Sequence, residues 1–262
     1  MNTPVKPSIQ KIPIRIALIT GATSGIGEAT ARLLAKNNFK LILCGRRSER
    51  LHVLEKELAP FTEVLVRSFD VCNRKDVTKA LQSLPEGWTE VDVLINNAGG
   101  AHGLDPIQSG NPDDWDAMID VNVKGLLYVT HEILPVMLKR KYGHIINMGS
   151  IAGREIYPNG NVYSASKFAV DALSRSMRVD LNAAGIKVTQ VNPGLVETEF
   201  SVVRFKGDTD RASTPYKGLQ PLRGEDIADL ILFVLTRPPH VVVADLVVFP
   251  LAQASATVVR RE

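Results

Sequence analysis

The sequence predicts an α/β fold: one doubly wound parallel sheet of about seven strands with helices on both faces. Two observations carry that expectation. Short apolar runs alternate with longer amphipathic stretches along nearly the whole chain, as they do when strands buried on both faces are joined by helical crossovers. A glycine-rich turn, Gly21 to Gly27, also stands between the first apolar run and the first amphipathic stretch, where the chain must pass sharply from strand into helix. Length and composition agree. The 262 residues, 45% hydrophobic and 23% charged, are enough for a substantial core without disulfides or metals. A net charge of +3, spread among interleaved acids and bases, predicts no nucleic-acid or membrane footprint.

In chain order, residues 1–12 read as a polar lead-in and 13–262 as a single Rossmann-type domain. The first strand is expected at 14–20, and the helix after it buries Ala29, Ala31, Leu33, Leu34 and Ala35 and closes at Asn37-Asn38. A strand at 40–44, a helix at 48–58, a strand at 63–69, a helix at 74–84 and a strand at 91–95 continue the alternation. A long helix over 112–140 then leads into a strand at 143–148, and a helix over 161–182 into a strand at 187–191. The series ends with a helix at 223–235 and a strand at 241–249.

The stretch 194–222 breaks the rhythm, being polar, with two prolines and three glycines. Connections of that length are usually functional or disordered, and a flap over a substrate is the expectation here. Cys44 and Cys72 each close an apolar run and read as buried thiols, with no metal-ligand set around them. No secretory leader and no run of about 20 apolar residues is evident, so a cytoplasmic location is the default expectation.

Two features predict a nucleotide cofactor. In Thr20-Gly21-Ala22-Thr23-Ser24-Gly25-Ile26-Gly27 the glycines allow close approach of a pyrophosphate, and the free amides at the helix N-terminus favour an anion. Gly21, Thr23, Ser24, Gly25, Ile26 and Gly27 are therefore candidate contacts. An NAD site usually places an acid at the end of the second strand, about 20 residues on, to hold the ribose 2′-hydroxyl. This chain has Gly45-Arg46-Arg47 there. Two guanidiniums and no carboxylate favour the 2′-phosphate of NADP, with Arg46 first choice; exposed arginines without a ligand are the alternative. Asp70 and Val71, after the third strand, are candidate adenine contacts through side chain or backbone.

The chemistry is expected between Gly149-Ser150 and Tyr163-Ser164-Ala165-Ser166-Lys167. Tyr163 and Lys167, four apart in a helix, share a face. A phenol titrates near about 10, so acid–base work near neutrality calls for a downward shift that a neighbouring ammonium can supply. Ser150 follows the apolar run of residues 144–148, and its hydroxyl could stand opposite the phenol. Two hydroxyls converging on one substrate oxygen polarise a carbonyl or stabilise an alkoxide, as hydride transfer at the attached carbon requires.

Taken together, Thr20 to Gly27, Asn96-Asn97-Ala98-Gly99, Asn122, Ser150, Tyr163-x-x-x-Lys167 and Pro193-Gly194 resemble the short-chain dehydrogenases/reductases, over nearly the whole chain. The resemblance implies that Tyr163 is the catalytic acid/base, that Lys167 lowers its pKa and holds the nicotinamide ribose, and that Ser150 orients the substrate oxygen. It implies that Asn122 bulges the long helix and holds a water linking Lys167 to solvent, a core asparagine being the alternative. Asn97, Ala98 and Gly99 would line the cofactor, and the stretch from Val191 through Pro193, Gly194 and Val196 to Thr198 would cup the nicotinamide amide.

Residues 83–88, 203–208 and 239–241 bring a narrower resemblance, to the NADP-dependent 3-hydroxy acid dehydrogenases acting on serine and L-allo-threonine. That implies a small hydroxy acid or its semialdehyde as substrate and a homotetramer as the assembly. Arg204 and Lys206 lie in the expected flap and are placed to meet a substrate carboxylate, Arg204 being first choice; a salt bridge fixing the flap is the other reading. Arg154, just past Ser150, is a rival that could bind a carboxylate or a sulfonate, which keeps sulfoacetaldehyde reduction open. A 3-oxoacyl thioester reductase and a catalytically silent NADP-binding sensor are the remaining alternatives.

Overall fold

The computed structural model describes residues 15–262; the expected lead-in and residues 13 and 14 lie outside them. The elements run β1 (Arg15–Thr20), α1 (Gly25–Ala35), β2 (Phe39–Gly45), α2 (Ser48–Leu58), β3 (Val64–Ser68), α3 (Arg74–Gln82) and β4 (Val93–Asn96). After β4 come α4 (Pro112–Ile119), α5 (Gly125–Arg140), β5 (His144–Met148), α6 (Asn161–Leu181) and β6 (Lys187–Pro193). The chain continues with α7 (Phe200–Arg204), α8 (Thr209–Ser213), α9 (Gly224–Leu235) and β7 (Asp245–Val248).

Among the described residues seven strands form one sheet in the order β3-β2-β1-β4-β5-β6-β7, every neighbouring pair parallel. Both faces are buried. Leu18, Ile42, Leu94 and Ile145 point into one apolar cluster with Val129 and Met137 of α5, while their chain neighbours Ile19, Leu43, Ile95 and Ile146 point into the other, with Leu34 of α1 and Ile231 of α9. Because successive side chains leave a strand on opposite sides, burying both sides makes the strand a continuous apolar run, which is why the strands were legible as such. The strand order reverses direction between β1 and β4, and a crevice opens there at the carboxyl ends of the strands.

The expected 112–140 helix is one path of chain with a π-helical turn, Asp120–Lys124, between α4 and α5. Asn122 sits in that turn, 2% exposed. Its amide donates to Gly100 O (2.9 Å) and Ser166 Oγ (3.0 Å) and accepts from Gly100 N (2.9 Å). A wide turn of this kind re-aims a side chain inward, a device common at functional sites.

The last strand is shorter than expected. Residues 241–243 run beside β6, but side chains of β6 take two of their carbonyls: Lys187 Nζ donates to Val241 O (2.9 Å) and Thr189 Oγ1 to Val243 O (2.7 Å). The backbone ladder begins where Gln190 N donates to Ala244 O (3.0 Å), with Asp245 as the first residue in register. The 194–222 stretch is more ordered than a loop, holding α7, α8 and the tight turn Thr214–Tyr216. Among the described residues no helix is long and apolar enough to cross a membrane.

Candidate active site

The crevice between β1 and β4 is tied shut at its floor. Thr20 Oγ1 accepts from the backbone of both Asn97 (3.0 Å) and Ala98 (2.9 Å), and Asn97 Nδ2 donates to Thr20 O (2.9 Å). Gly21 has φ +66°, a conformation that favours glycine, and a Cβ on Gly27 would meet Gly21 O and come to 2.5 Å from Asn97 Nδ2. The chain thus packs backbone against backbone where α1 begins.

Above this floor lies a cleft of about 290 Å³. The glycine turn from Gly21 through Thr23, Ser24, Gly25 and Ile26 forms one wall, and Asp70, Val71, Asn97, Ala98 and Gly99 line the rest. Arg46 and Arg47 stand at one end. Amide groups free at the start of α1 and two guanidiniums at the far end suit a dinucleotide with a phosphate beyond its pyrophosphate. The two arginines differ. Arg46 is mostly exposed, 3.6 Å from Asp70, whereas Arg47 donates to Thr23 Oγ1 (2.9 Å) and Ser24 Oγ (2.8 Å) and pairs with Glu199 (2.7 Å).

A second cavity, of about 310 Å³, opens from the first; Ile26, Gly99, Thr198 and Phe200 line both. Ser150, Tyr163 and Lys167 line its wall, with Pro193, Gly194 and Val196 from the end of β6 beside them. Tyr163 is 8% exposed, held by Ala101, Met118 and Ala152, and Phe200 meets its ring edge-on at 5.5 Å. Ser150 is also 8% exposed; its hydroxyl accepts from Ala152 N (3.1 Å) and stands near enough to the Tyr163 phenol to lower its pKa.

The electrostatics of the pair depart from expectation. Burial pushes the Tyr163 phenol well above the ordinary tyrosine value; Ser150 and Arg204 pull it down only in part. Lys167 is engaged elsewhere: its ammonium donates to Met148 O (2.9 Å) and lies 5.9 Å from the ring centroid, so burial outweighs it. Burial in turn lowers Lys167 to about 8. The side chains as folded therefore keep the phenol protonated at neutral pH, a correction to the expectation of an ammonium-depressed tyrosine.

A pH dependence follows from Lys167. In the unfolded chain the amine titrates near about 10.4, so between about 8 and that value the unfolded state binds a proton that the folded state does not, and stability rises with pH. Below about pH 8 both states are protonated and the cost of the buried charge is fully present. Relative to Lys167→Met, the wild-type protein is expected to gain on the order of 2 kcal/mol between pH 7 and pH 10, measured by urea unfolding at each pH. A flat difference would contradict a buried, depressed amine.

Two arginines were candidates for a substrate anion, and the structure separates them. Arg154 does not face the cavity. It turns to the far side of the Ser150 loop, where its guanidinium pairs with Asp171 (3.0 Å) and with Asp245. This corrects the expectation that Arg154 binds substrate: two carboxylates already neutralise it. Arg204 lines the cavity. Its Nε donates to Gly103 O (3.0 Å) and its Nη2 to the Tyr157 hydroxyl (2.8 Å), and its guanidinium lies 5.6 Å from the Tyr163 ring centroid. No carboxylate among the described residues pairs with it, whereas Lys206 is paired with Asp114 (3.0 Å).

Sequence reasoning missed several lining residues, among them Leu104, Tyr157, Phe205, Tyr216 and Gln253. Tyr157 follows Ser150 closely enough to have been found, and Phe205 and Tyr216 are the apolar rings of the 194–222 stretch. Gln253 carried no signal: it reaches the cavity because the C-terminal chain folds back, its side-chain oxygen accepting from Leu195 N at 2.8 Å.

Residues 15–208 match the family model described as short chain dehydrogenase. The chain is 46% identical over 242 residues, 92% of this chain and 97% of the other, to an NADP-dependent 3-hydroxy acid dehydrogenase of Salmonella typhi. It is 45% identical over 249 residues, 94% and 99% of the two chains, to sulfoacetaldehyde reductase 2 of Chromohalobacter salexigens. A closed form of serine dehydrogenase complexed with NADP+ superposes with a TM-score of 0.90 at 43% identity, covering 94% of this chain and all of that one.

Proposed function

The chain belongs to the short-chain dehydrogenase family, and from that premise we propose an NADP-dependent oxidoreductase acting on small 3-hydroxy acids such as serine, allo-threonine or 3-hydroxyisobutyrate, or on the matching semialdehydes. The observation that carries the substrate class is Arg204, a guanidinium without a carboxylate partner among the described residues, facing the same cavity as Ser150 and Tyr163. A charged donor there suits a carboxylate, and the relatives named for 3-hydroxy acid and serine oxidation support the same class.

When bound, the nicotinamide gives or takes the hydride. The residues of the chain do the rest. Tyr163, its phenol kept protonated, donates its Oη proton to the substrate oxygen in the reducing direction, and Ser150 hydrogen-bonds the same oxygen and fixes its direction. Lys167 lies beside Gly99, at the junction of the two cavities, and takes the ribose hydroxyls, while Asn122 braces the loop Gly99-Gly100 against α6. Gly21, Gly25 and Gly27 hold the pyrophosphate, Asp70 and Val71 flank the adenine, and Arg46 with Arg47 receives the 2′-phosphate. The 194–222 segment acts as the flap, bringing Phe200 and Arg204 over the substrate.

Arg46→Ala is expected to weaken NADPH about tenfold and NADH less than twofold, since only the former carries the phosphate. Titration of each cofactor by protein fluorescence checks this, and equal weakening would exclude Arg46 from the phosphate site. We further infer a cytoplasmic homotetramer. The exposed apolar residues Leu127, Leu138, Phe168 and Val179 on α5 and α6 support self-association, and light scattering of the purified protein measures it.

The test of the reading as a whole is a screen of nicotinamide absorbance with NADP or NAD against serine, allo-threonine, 3-hydroxyisobutyrate and isethionate, with the aldehydes in reverse. Turnover of carboxylates with NADP is the expected result. Turnover confined to the sulfonate pair would transfer the same anion site to sulfoacetaldehyde reduction, and NADP binding without any turnover would favour a silent sensor.

A further inference from the structure

We propose that Asp245, at the start of β7, is a positioning residue for Ser150 and acts through the side-chain amide of Asn192. Asn192 is fully buried in β6. Its Oδ1 accepts the backbone N–H of Ser150 at 3.2 Å, and its Nδ2 donates to Asp245 Oδ1 at 2.5 Å. An ionised carboxylate only accepts, so Asp245 can face only the NH₂ end of the amide, and the carbonyl end is thereby turned to Ser150.

The second oxygen of Asp245 takes Arg154, whose guanidinium also reaches Asp171 at 3.0 Å. Asp171 lies on α6, on the face that carries Tyr163 two turns and Lys167 one turn earlier. The tight turn Ile151–Gly153 is therefore pinned at both ends, at Ser150 by Asn192 and at Arg154 by the two carboxylates.

Nothing in this contact is loose. A Cβ on Gly149 would run into Asn192 Oδ1 and approach Gln190 Nε2 to 2.6 Å, so the peptide before Ser150 rests directly on the amide. A rotation of Asn192 must move that peptide, and with it the hydroxyl that stands against Tyr163. The two arginines near the site thus divide the work: Arg204 faces the cavity, and Arg154 holds the frame behind Ser150.

This rests on the reading of Ser150 as the residue that orients the substrate oxygen. Asp245→Asn keeps the shape while allowing Asn192 to turn over. It is expected to lower kcat about tenfold with the KM for NADP changed less than about twofold, and to lower kcat less than about twofold when made in a Ser150→Ala background. The backbone amide of Ser150 is expected to exchange with deuterium about tenfold faster, that of Ile19 in β1 unchanged. Equal loss of kcat in both backgrounds, or unaltered exchange at Ser150, would overturn the proposal. The exchange measurement needs no substrate, so it decides the matter even if the wild-type protein turns over none of the compounds screened, an outcome that would count against the functional reading instead. Should Asp245→Asn unfold, Asn192→Ala, which removes the acceptor itself, is put through the same cycle with the same expected and overturning results.

Discussion

Tyr163→Phe is expected to lower turnover roughly 10³-fold while leaving NADPH affinity within about twofold. The substitution removes one oxygen and little else. The ring is gripped by Ala101, Met118 and Ala152 and met edge-on by Phe200, contacts that a phenyl ring makes equally well. What disappears is the protonated phenol next to Ser150. Stopped-flow absorbance gives the turnover and cofactor fluorescence the affinity. Residual activity within tenfold of wild type would show that another acid acts; Tyr157 is the candidate, since its hydroxyl lies on Arg204 at 2.8 Å.

Arg204→Met is expected to raise the KM for carboxylate substrates about 100-fold and that for an uncharged aldehyde less than about threefold. Charge-assisted hydrogen bonds to a carboxylate contribute about 1.5–3 kcal/mol each, and two of them account for the larger figure. Methionine keeps most of the aliphatic stem that packs near Tyr157 and Tyr163. The variant also loses the bonds to Gly103 O and to the Tyr157 hydroxyl, which tie the 194–222 segment to the loops after β4 and β5. The neutral aldehyde separates these effects. If it suffers as much as the acid, Arg204 fixes the flap and does not read charge.

The helix of Tyr163 and Lys167, the glycine turn and the arginines after β2 were all legible in the sequence because each depends on local spacing. A side chain four residues on along a helix shares its face whatever the remainder of the fold does. The π-helical turn at Asn122 was reached only through family resemblance, since nothing in Asp120-Val121-Asn122-Val123 disfavours an ordinary helix. The length of β7 was overestimated for a different reason. Apolar composition at 241–243 was read correctly, but Lys187 and Thr189 capture two of those carbonyls from the next strand.

By itself the sequence determined the doubly wound sheet, the cofactor crevice and the identity of the serine, tyrosine and lysine, since alternating hydrophobicity and short motifs are properties of neighbours in the chain. Only the tertiary structure decided which arginine faces the cavity and in which protonation state the tyrosine waits. Arg154 is neutralised by Asp245, 91 residues away, while Arg204 meets no carboxylate among the described residues. The phenol is governed by the apolar walls that α4, α6 and α7 build around it more than by the lysine one turn on. Charge pairing and desolvation are sums over everything that folding brings near a group, and no local spacing fixes them.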